Sequence, residues 1–177
     1  MQSPCLPSGV LAYRPISAYT LFMSKHRPDP ADAVRDCACF NLRKAARAVT
    51  QLYEAALAPS GIHATQFSVL VALAVVDGAP LSRVADGLVM DRTTLTRNLR
   101  PLARRGWVRI EAGEDRRERN LSLTRSGRAA LERALPLWQR AQERLHAQVG
   151  DTRWTRLLAD LPGLTATAQE AAADDLR

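Results

Sequence analysis

The sequence predicts a mainly α-helical protein with a small β-wing: a winged helix-turn-helix carried between N- and C-terminal dimerisation helices. Three observations lead there. Residues 91–106 (DRTTLTRNLRPLARRG) form a short helical pattern with one apolar seam and an opposite face of Arg, Thr and Asn. Two alternating segments follow, 107–111 (WVRIE) and 120–124 (NLSLT), separated by the polar, turn-rich AGEDRRER. Long amphipathic patterns precede and follow this block.

Residues 1–30 are expected to be a disordered or extension segment. They carry scattered Pro and Ser, no basic n-region, and no apolar run of signal-peptide or membrane-span length. Met23 is a second plausible start, so residues 1–22, Cys5 among them, are read as a disordered extension or a misassigned start. From residue 31 to 58, Cys39, Leu42, Ala46, Val49, Tyr53 and Ala56 recur at alternating spacings of three and four, predicting one helix ended by Pro59 and Gly61. Roughly 28 residues is long for a helix in a small domain and suits one that bridges subdomains or runs along a partner. A second helix starts at Thr65 (TQFSVLVALAVVDG) and is apolar on most sides, hence buried. GAPL (78–81) is a connector with a one-bridge strand to the wing. LSRVADGLV (81–89) reads as a short helix, with Gly87 and the residues to Asp91 as the turn.

Asp91 is a good N-cap, because its carboxylate can accept from first-turn amides and suits the positive end of the helix dipole. Leu95, Leu99 and Leu102 make the seam at i, i+4 and i+7. Arg92, Thr93, Thr94, Thr96, Arg97, Asn98, Arg100, Arg104 and Arg105 lie away from it, with no exposed acid after the cap. Gly106 ends the helix. After the wing, Thr124 caps a helix over 125–149 that Pro136 is expected to kink and Gly150 stops. Asp151 is expected to cap a last helix to about Ala173, disturbed at Pro162 and Gly163. Leu131, Leu135, Trp138, Leu145 and Val149, then Trp154, Leu157, Leu158, Leu161 and Leu164, make two apolar faces. The winged helix is complete without them, so they are assigned to an interface with a second copy. The expected organisation is one domain over 31–175, with the winged helix-turn-helix at about 62–124 and dimerisation helices at about 31–58 and 125–173.

Charge narrows the partner. The 177 residues carry a formal net charge of +7 and a sequence pI near 10.1. Arg outnumbers Lys 23 to 2, which codon bias alone can produce. Clustering is harder to dismiss: residues 81–128 hold twelve Arg and six acids, a net +6. Such a surface releases counterions from a polyanion, and double-stranded DNA is the natural one. An anionic membrane fits less well, since the Arg divide between a helix and a loop. On the helix of residues 91–106, Arg can read guanine, Asn adenine, and Thr bases or phosphates, although the same helix taken alone could be a solvated surface helix.

Enzyme and metal chemistry find no support. There is no Gly-rich phosphate loop, paired-carboxylate pattern in an apolar setting or Ser/His/Asp signature, and His26, His63 and His146 sit in polar or loop surroundings. Cys37 and Cys39 lack the two-residue spacer of a zinc site and have no His pair nearby. No enzyme activity, cofactor or metal is expected.

The order helix, helix, helix-turn-helix, wing, long helix, helix is similar to that of the MarR (multiple-antibiotic-resistance regulator) family of bacterial transcription factors, over about residues 36–168. The resemblance is sharpest in DRTTLTRNLRPLARRGWVRIEAGEDRRERNLSLTRSGR (91–128). Asp115 and Arg117 match the family's Asp-x-Arg in the wing, and Leu123, Thr124 and Gly127 match its step into the next helix. The resemblance implies a cytoplasmic homodimer that binds a pseudo-palindromic operator, usually as a repressor, and leaves it when a small ligand or oxidant alters the spacing of two DNA heads. A dimer suits two half-sites about one helical turn apart. Carried over by position, Arg92, Thr93, Thr94, Thr96 and Arg97 belong in the major groove, and Ser82 and Arg100 on phosphates. Arg117, with Arg116 or Arg119, belongs in the minor groove or at its rim. Asp115 orients an Arg.

The stretch CACFNLRKAARAVTQLYEAAL (37–57) resembles the organic-hydroperoxide-sensing branch, in which a first-helix Cys is the reactive thiol. Cys39, followed by Phe40, falls at that position, and Tyr53 matches one of the branch's thiolate-holding tyrosines. Arg43 and Phe67 stand where the other two would be. Within one helix Cys37 and Cys39 point about 200° apart, so one faces inward, one outward, and they do not readily bridge. The alternative for Cys39 is a small buried hydrophobe. The competing switch is a small aromatic or amphipathic acid bound where the first, second and fifth helices meet the DNA head. Arg43 or Arg47 would be its counter-ion and Phe40, Tyr53, Phe67 or Trp138 its walls, unless these aromatics are simply core. The first reading is a repressor released by such a ligand, the second a thiol sensor using Cys39. A helical interaction module without DNA is a distant third.

Overall fold

The computed structural model describes residues 29–113, 115 and 118–174. The extension to residue 28, with Cys5 and His26, and the wing residues Arg116 and Arg117 lie outside the described residues. The chain divides into two compact units, Met1–Arg47 and Ala48–Arg177.

In the first unit, α1 (Pro30–Asp36) is followed by the start of α2 (Ala38–Leu57). The single helix expected over 31–58 is therefore broken at Cys37. Side chains at the joint replace the helical ladder: the Phe40 amide donates to Cys37 Sγ at 3.4 Å. The Asn41 amide nitrogen donates to the carbonyls of Val34, Arg35 and Cys37 at 3.3, 3.1 and 3.0 Å. Satisfying these groups locally removes the penalty for interrupting the helix.

In the second unit α2 ends in a 3₁₀ turn, Ala58–Ser60, closed by Gly61. Then come α3 (Ala64–Val75), β1 (Ala79–Pro80), α4 (Leu81–Gly87), α5 (Arg92–Arg104), β2 (Val108–Ala112), β3 (Arg119–Leu123), α6 (Arg125–Val149) and α7 (Asp151–Asp174). α3 begins one residue before Thr65, because Gln66 Oε1 accepts from the His63 amide at 3.2 Å and Glu54 Oε1 from the Ala64 amide at 2.9 Å. The strands form an antiparallel sheet in the order β1-β3-β2, with Ala79 opposite Leu121 and Val108 opposite Leu123. The short strand expected near GAPL does pair with the wing.

The core gathers Val69, Leu70 and Leu73 of α3, Leu95, Leu99 and Leu102 of α5, and Leu121 and Leu123 of β3. It also takes Leu57 from α2 and Ala130, Leu131 and Ala134 from α6. The winged helix is thus not complete without its flanking helices, and Leu131, expected on a dimer face, is buried in the core. Small residues at 127, 130 and 134 let the first half of α6 approach the core closely. By contrast α7 buries nothing, and Leu157, Leu158, Leu161 and Leu164 stay 37–47% exposed. Both helices continue through their prolines, so α7 is not interrupted at Pro162 and Gly163. Its cap position is Gly150, whose carbonyl accepts from the Trp154 amide at 3.0 Å, rather than Asp151.

The turn between α4 and α5 also departs from expectation. Gly87 is the last residue of α4, and Val89 takes the left-handed position at φ 52°. The Val89 amide donates to the Asp86 carbonyl at 3.0 Å and the Met90 amide to that of Ala85 at 2.9 Å. This is a Schellman ending with a β-branched residue in the slot usually given to Gly, and it stores strain. Val89 is 57% exposed and has little packing to lose. Val89→Gly should stabilise the protein by about 1 kcal/mol, and a chemical denaturation midpoint no higher than that of the parent would count against it.

Candidate nucleic-acid interface and inner pocket

α5 is anchored along its seam and at both ends. Leu95, Leu99 and Leu102 are fully buried, which turns the remaining faces outward. At the start, Asp91 Oδ1 accepts from the Thr94 amide at 2.8 Å and Oδ2 from the Thr94 hydroxyl at 2.6 Å. The Thr94 hydroxyl, then its amide, hold the Asp91 carboxyl below the ordinary carboxylate range. At the end, the Gly106 amide donates to the Ala103 carbonyl at 2.9 Å and the Trp107 amide to that of Leu102 at 3.0 Å, with Gly106 at φ 67°. Arg105 donates to the Gly61 carbonyl at 2.7 Å, and its guanidinium lies 4.7 Å from the Trp107 ring centroid. It fastens the helix down.

The lowered Asp91 pKa fixes the sign of its pH dependence. A carboxyl with a depressed folded-state pKa contributes stability above its unfolded pKa and loses it as pH falls through the folded value. Asp91→Ala should therefore lower Tm at pH 7, and the gap to the parent should close as acid protonates the parent's carboxyl. A gap constant into acid would mean the charge is not what the cap uses.

Two concavities mark the outward surface. Arg92, Thr93, Thr96, Arg97 and Arg100 line one of about 340 Å³. The other, of about 260 Å³, brings together Ser82 from α4, Arg92 from α5 and Arg119 from β3, with the acidic Glu118 also in its lining. Arg92 belongs to both. The hydroxyls are already partly committed: Thr96 donates to the Arg92 carbonyl at 2.7 Å, leaving its methyl group and lone pairs for a partner. Thr94 spends its hydroxyl hydrogen on Asp91, so it serves the cap more than the face. Asn98 is half-buried, its amide nitrogen 3.9 Å from Met90 Sδ. In the wing, the Glu118 amide donates to the Asp115 carbonyl at 2.8 Å and the Gly113 amide to that of Glu118 at 3.1 Å, closing the turn next to Arg119. The grouping of Ser82 with Arg92 and Arg119 depends on the turn and the sheet, and its only sequence signal was Ser82 at the start of a short helix.

The second unit carries a pocket of about 570 Å³, open to solvent, lined by Tyr53, Leu57, Phe67, Leu88 and Trp138 and by the exposed Thr50, Thr65 and Ser68, among others. Phe67 and Trp138 stack with centroids 6.0 Å apart and planes 23° apart. Phe67 is 7% exposed and so acts as both core and wall. The Tyr53 hydroxyl donates to Gln142 Oε1, and burial pushes the phenol's pKa up, keeping it protonated. No charged side chain lines the pocket among the described residues.

Of the other expected sensing residues, Cys39, Phe40, Arg43 and Arg47 belong to the first unit, where all four are exposed. Cys37 is exposed as well. One inward and one outward cysteine was expected from a continuous helix. Cys37 lies outside α2, so the 200° phase does not apply, and neither thiol is a buried hydrophobe. Among the described residues no group of three His, Cys, Asp or Glu could hold a metal, and no single helix is long and apolar enough to cross a membrane.

Comparison with known proteins points in one direction. The MarR family model matches residues 60–118. The transcriptional regulator MosR of M. tuberculosis, solved in complex with DNA, is 43% identical, with 77% of this chain and 98% of that one covered and a TM-score of 0.71. The transcriptional repressor CouR, bound to a 23-mer DNA duplex, is 28% identical over 78% of this chain and 99% of its own, with a TM-score of 0.68. An uncharacterised HTH-type transcriptional regulator of Bacillus subtilis (strain 168), YwoH, is 27% identical over 110 residues, 62% of this chain and 80% of that protein. With MosR matched over nearly its whole length and a winged helix-turn-helix in place, the chain belongs to the MarR family of transcriptional regulators, which are not enzymes.

Proposed function

We propose that the protein is a cytoplasmic, homodimeric, sequence-specific regulator that represses from a pseudo-palindromic operator in double-stranded DNA and is released by a small molecule held in the inner pocket. The observation that carries the reading is α5: a fully buried leucine seam opposite an outward face with no acid after its cap. Two relatives were solved on DNA, MosR and CouR, which supports the same use of this surface. Thr93, Thr96 and Arg97 read bases, while Ser82, Arg92, Arg100 and Arg119 hold the flanking backbone. Arg116 and Arg117, outside the described residues, reach the minor groove. The exposed leucines of α7 meet a second copy, and residues 31–175 act as one MarR-type domain.

A thiol-sensing repressor is the second reading, favoured by one observation: Cys39 is exposed, as an oxidant target must be. A helical interaction module would use the α7 leucines but leaves the basic face without a task. Fluorescence anisotropy on DNA from the protein's own upstream region decides among the three. The first reading expects affinity that falls about 10³-fold between 50 and 200 mM salt and is indifferent to organic hydroperoxide. Peroxide release in the parent but not in Cys39→Ser would replace the ligand by the thiol. Absence of any salt-dependent binding would revive the module.

A further inference from the structure

Resting on the reading of α5 as the helix that enters DNA, we infer that Arg105 is a positioning residue for recognition. It ties the carboxyl end of α5 to the corner between α2 and α3, and so sets the pitch at which α5 lies in the groove. By sequence Arg105 is one more cation beside the base-reading face. Its guanidinium is nevertheless engaged within the protein, on the Gly61 carbonyl at 2.7 Å and over the Trp107 ring at 4.7 Å from the centroid.

A helix held by its leucine seam alone can still tilt and slide a little, because apolar contact has no direction. Hydrogen bonds supply direction. Among the described residues, the side chains of Asp91, Thr94 and Thr96 bond within α5 and its cap, and Asn98 reaches only Met90 in the preceding turn. The side chain of Arg105 crosses to a carbonyl 44 residues away. What it grips is a firm platform. The Gly61 amide closes the 3₁₀ turn on the Ala58 carbonyl at 3.0 Å, and the next residue, Ile62, is buried. Glu54 of α2 accepts from the Ala64 amide at 2.9 Å and lies 3.1 Å from His63 Nδ1, which fixes the start of α3 to α2. On its other side the guanidinium covers Trp107, whose carbonyl accepts from the Thr124 amide at 3.1 Å at the foot of the wing. One planar, permanently charged group thus joins the end of α2, the end of α5 and the start of the wing. A lysine ammonium carries the charge without the fork or the plane, so it cannot make both contacts.

The test compares the full-length parent with Arg105→Lys and Arg105→Ala on DNA from the protein's own upstream region and on random DNA of equal length. Anisotropy over a range of salt gives affinity, and urea denaturation gives stability. Arg105→Lys keeps the charge, so a change it makes in DNA binding is geometric. Both variants should bind the upstream DNA about tenfold more weakly, the scale of one misplaced base contact. On random DNA, Arg105→Lys should stay within about twofold of the parent with the same salt slope. A phosphate contact would behave otherwise: Arg105→Ala would weaken both DNAs and lower the random-DNA slope by about one, and Arg105→Lys would restore binding. That result would overturn the inference. So would a lowered urea midpoint with upstream affinity unchanged in the folded variants, which would leave Arg105 a stabilising residue only. A parent that binds neither DNA would overturn the reading of α5 itself, and this inference with it.

Discussion

Gly127→Ala should destabilise the second unit by about 3 kcal/mol, at the upper end of what overpacking costs. A Cβ on Gly127 would stand 2.0 Å from the Trp107 carbonyl oxygen and 2.8 Å from its carbon. Neither side can yield easily, because the obstacle is backbone held from several directions. The Trp107 carbonyl accepts from the Thr124 amide at 3.1 Å, and the neighbouring Gly106 carbonyl accepts from the hydroxyls of Thr124 and Ser126 at 2.6 and 2.8 Å. Thr124 Oγ1 also accepts from the Gly127 amide at 3.0 Å, capping α6. This knot joins the end of α5, the start of β2 and the first turn of α6. A methyl group at Gly127 must push the wing away from the helix or unwind the cap. Urea denaturation measures the loss, and a midpoint within error of the parent would show that the joint gives more freely than its bonding suggests. DNA affinity should fall too, since the wing that presents Arg119 is seated on the same knot.

How much of this was legible in advance depends on how local each cause is. The span of α5, its Asp91 cap and its Gly106 ending follow from side-chain period and turn chemistry within a few residues. Both strands of the wing and the Thr124 cap are equally local, and all lie close to where the sequence puts them. Other features needed the third dimension. Gly87 looks like the turn residue, yet the hydrogen bonds of the α4 ending place Val89 in the left-handed slot. Leu131 has the spacing of an interface residue, but small neighbours draw its end of α6 into the core. Arg105 reads as one more cation on a basic face and turns out to clamp a backbone carbonyl. The break at Cys37 arises from an Asn41 side chain folding back, which periodicity cannot register. Tyr53, Phe67 and Trp138 line one pocket, whereas Phe40, expected with them, is exposed in the first unit. The uncharged character of the pocket's lining was not legible, because it depends on which face of each helix turns inward.

Arg97→Ala and Arg92→Ala should both weaken DNA binding, in ways that separate their tasks. Arg97 shares its concavity with Arg92, Thr93, Thr96 and Arg100 on the outward face of α5. Its loss should cost about 1–3 kcal/mol on the operator and relax the preference at one base pair, with little change on random DNA. Arg92 stands where that surface meets Ser82 and Arg119. Its loss should weaken operator and random DNA alike and reduce the slope of log affinity against log salt by about one. Arg92 also lines the concavity of Arg97, so in the double variant the two losses should not simply add; operator binding should fall by about 10²-fold or more, while the proposed dimer persists in sedimentation. Persistence of the proposed dimer would separate a lost DNA contact from misfolding, which would also disrupt the exposed α7 leucines. Should Arg97→Ala leave sequence preference intact, base reading would pass to Thr93 and Thr96, whose methyl groups and lone pairs are what the helix then has left to offer a groove.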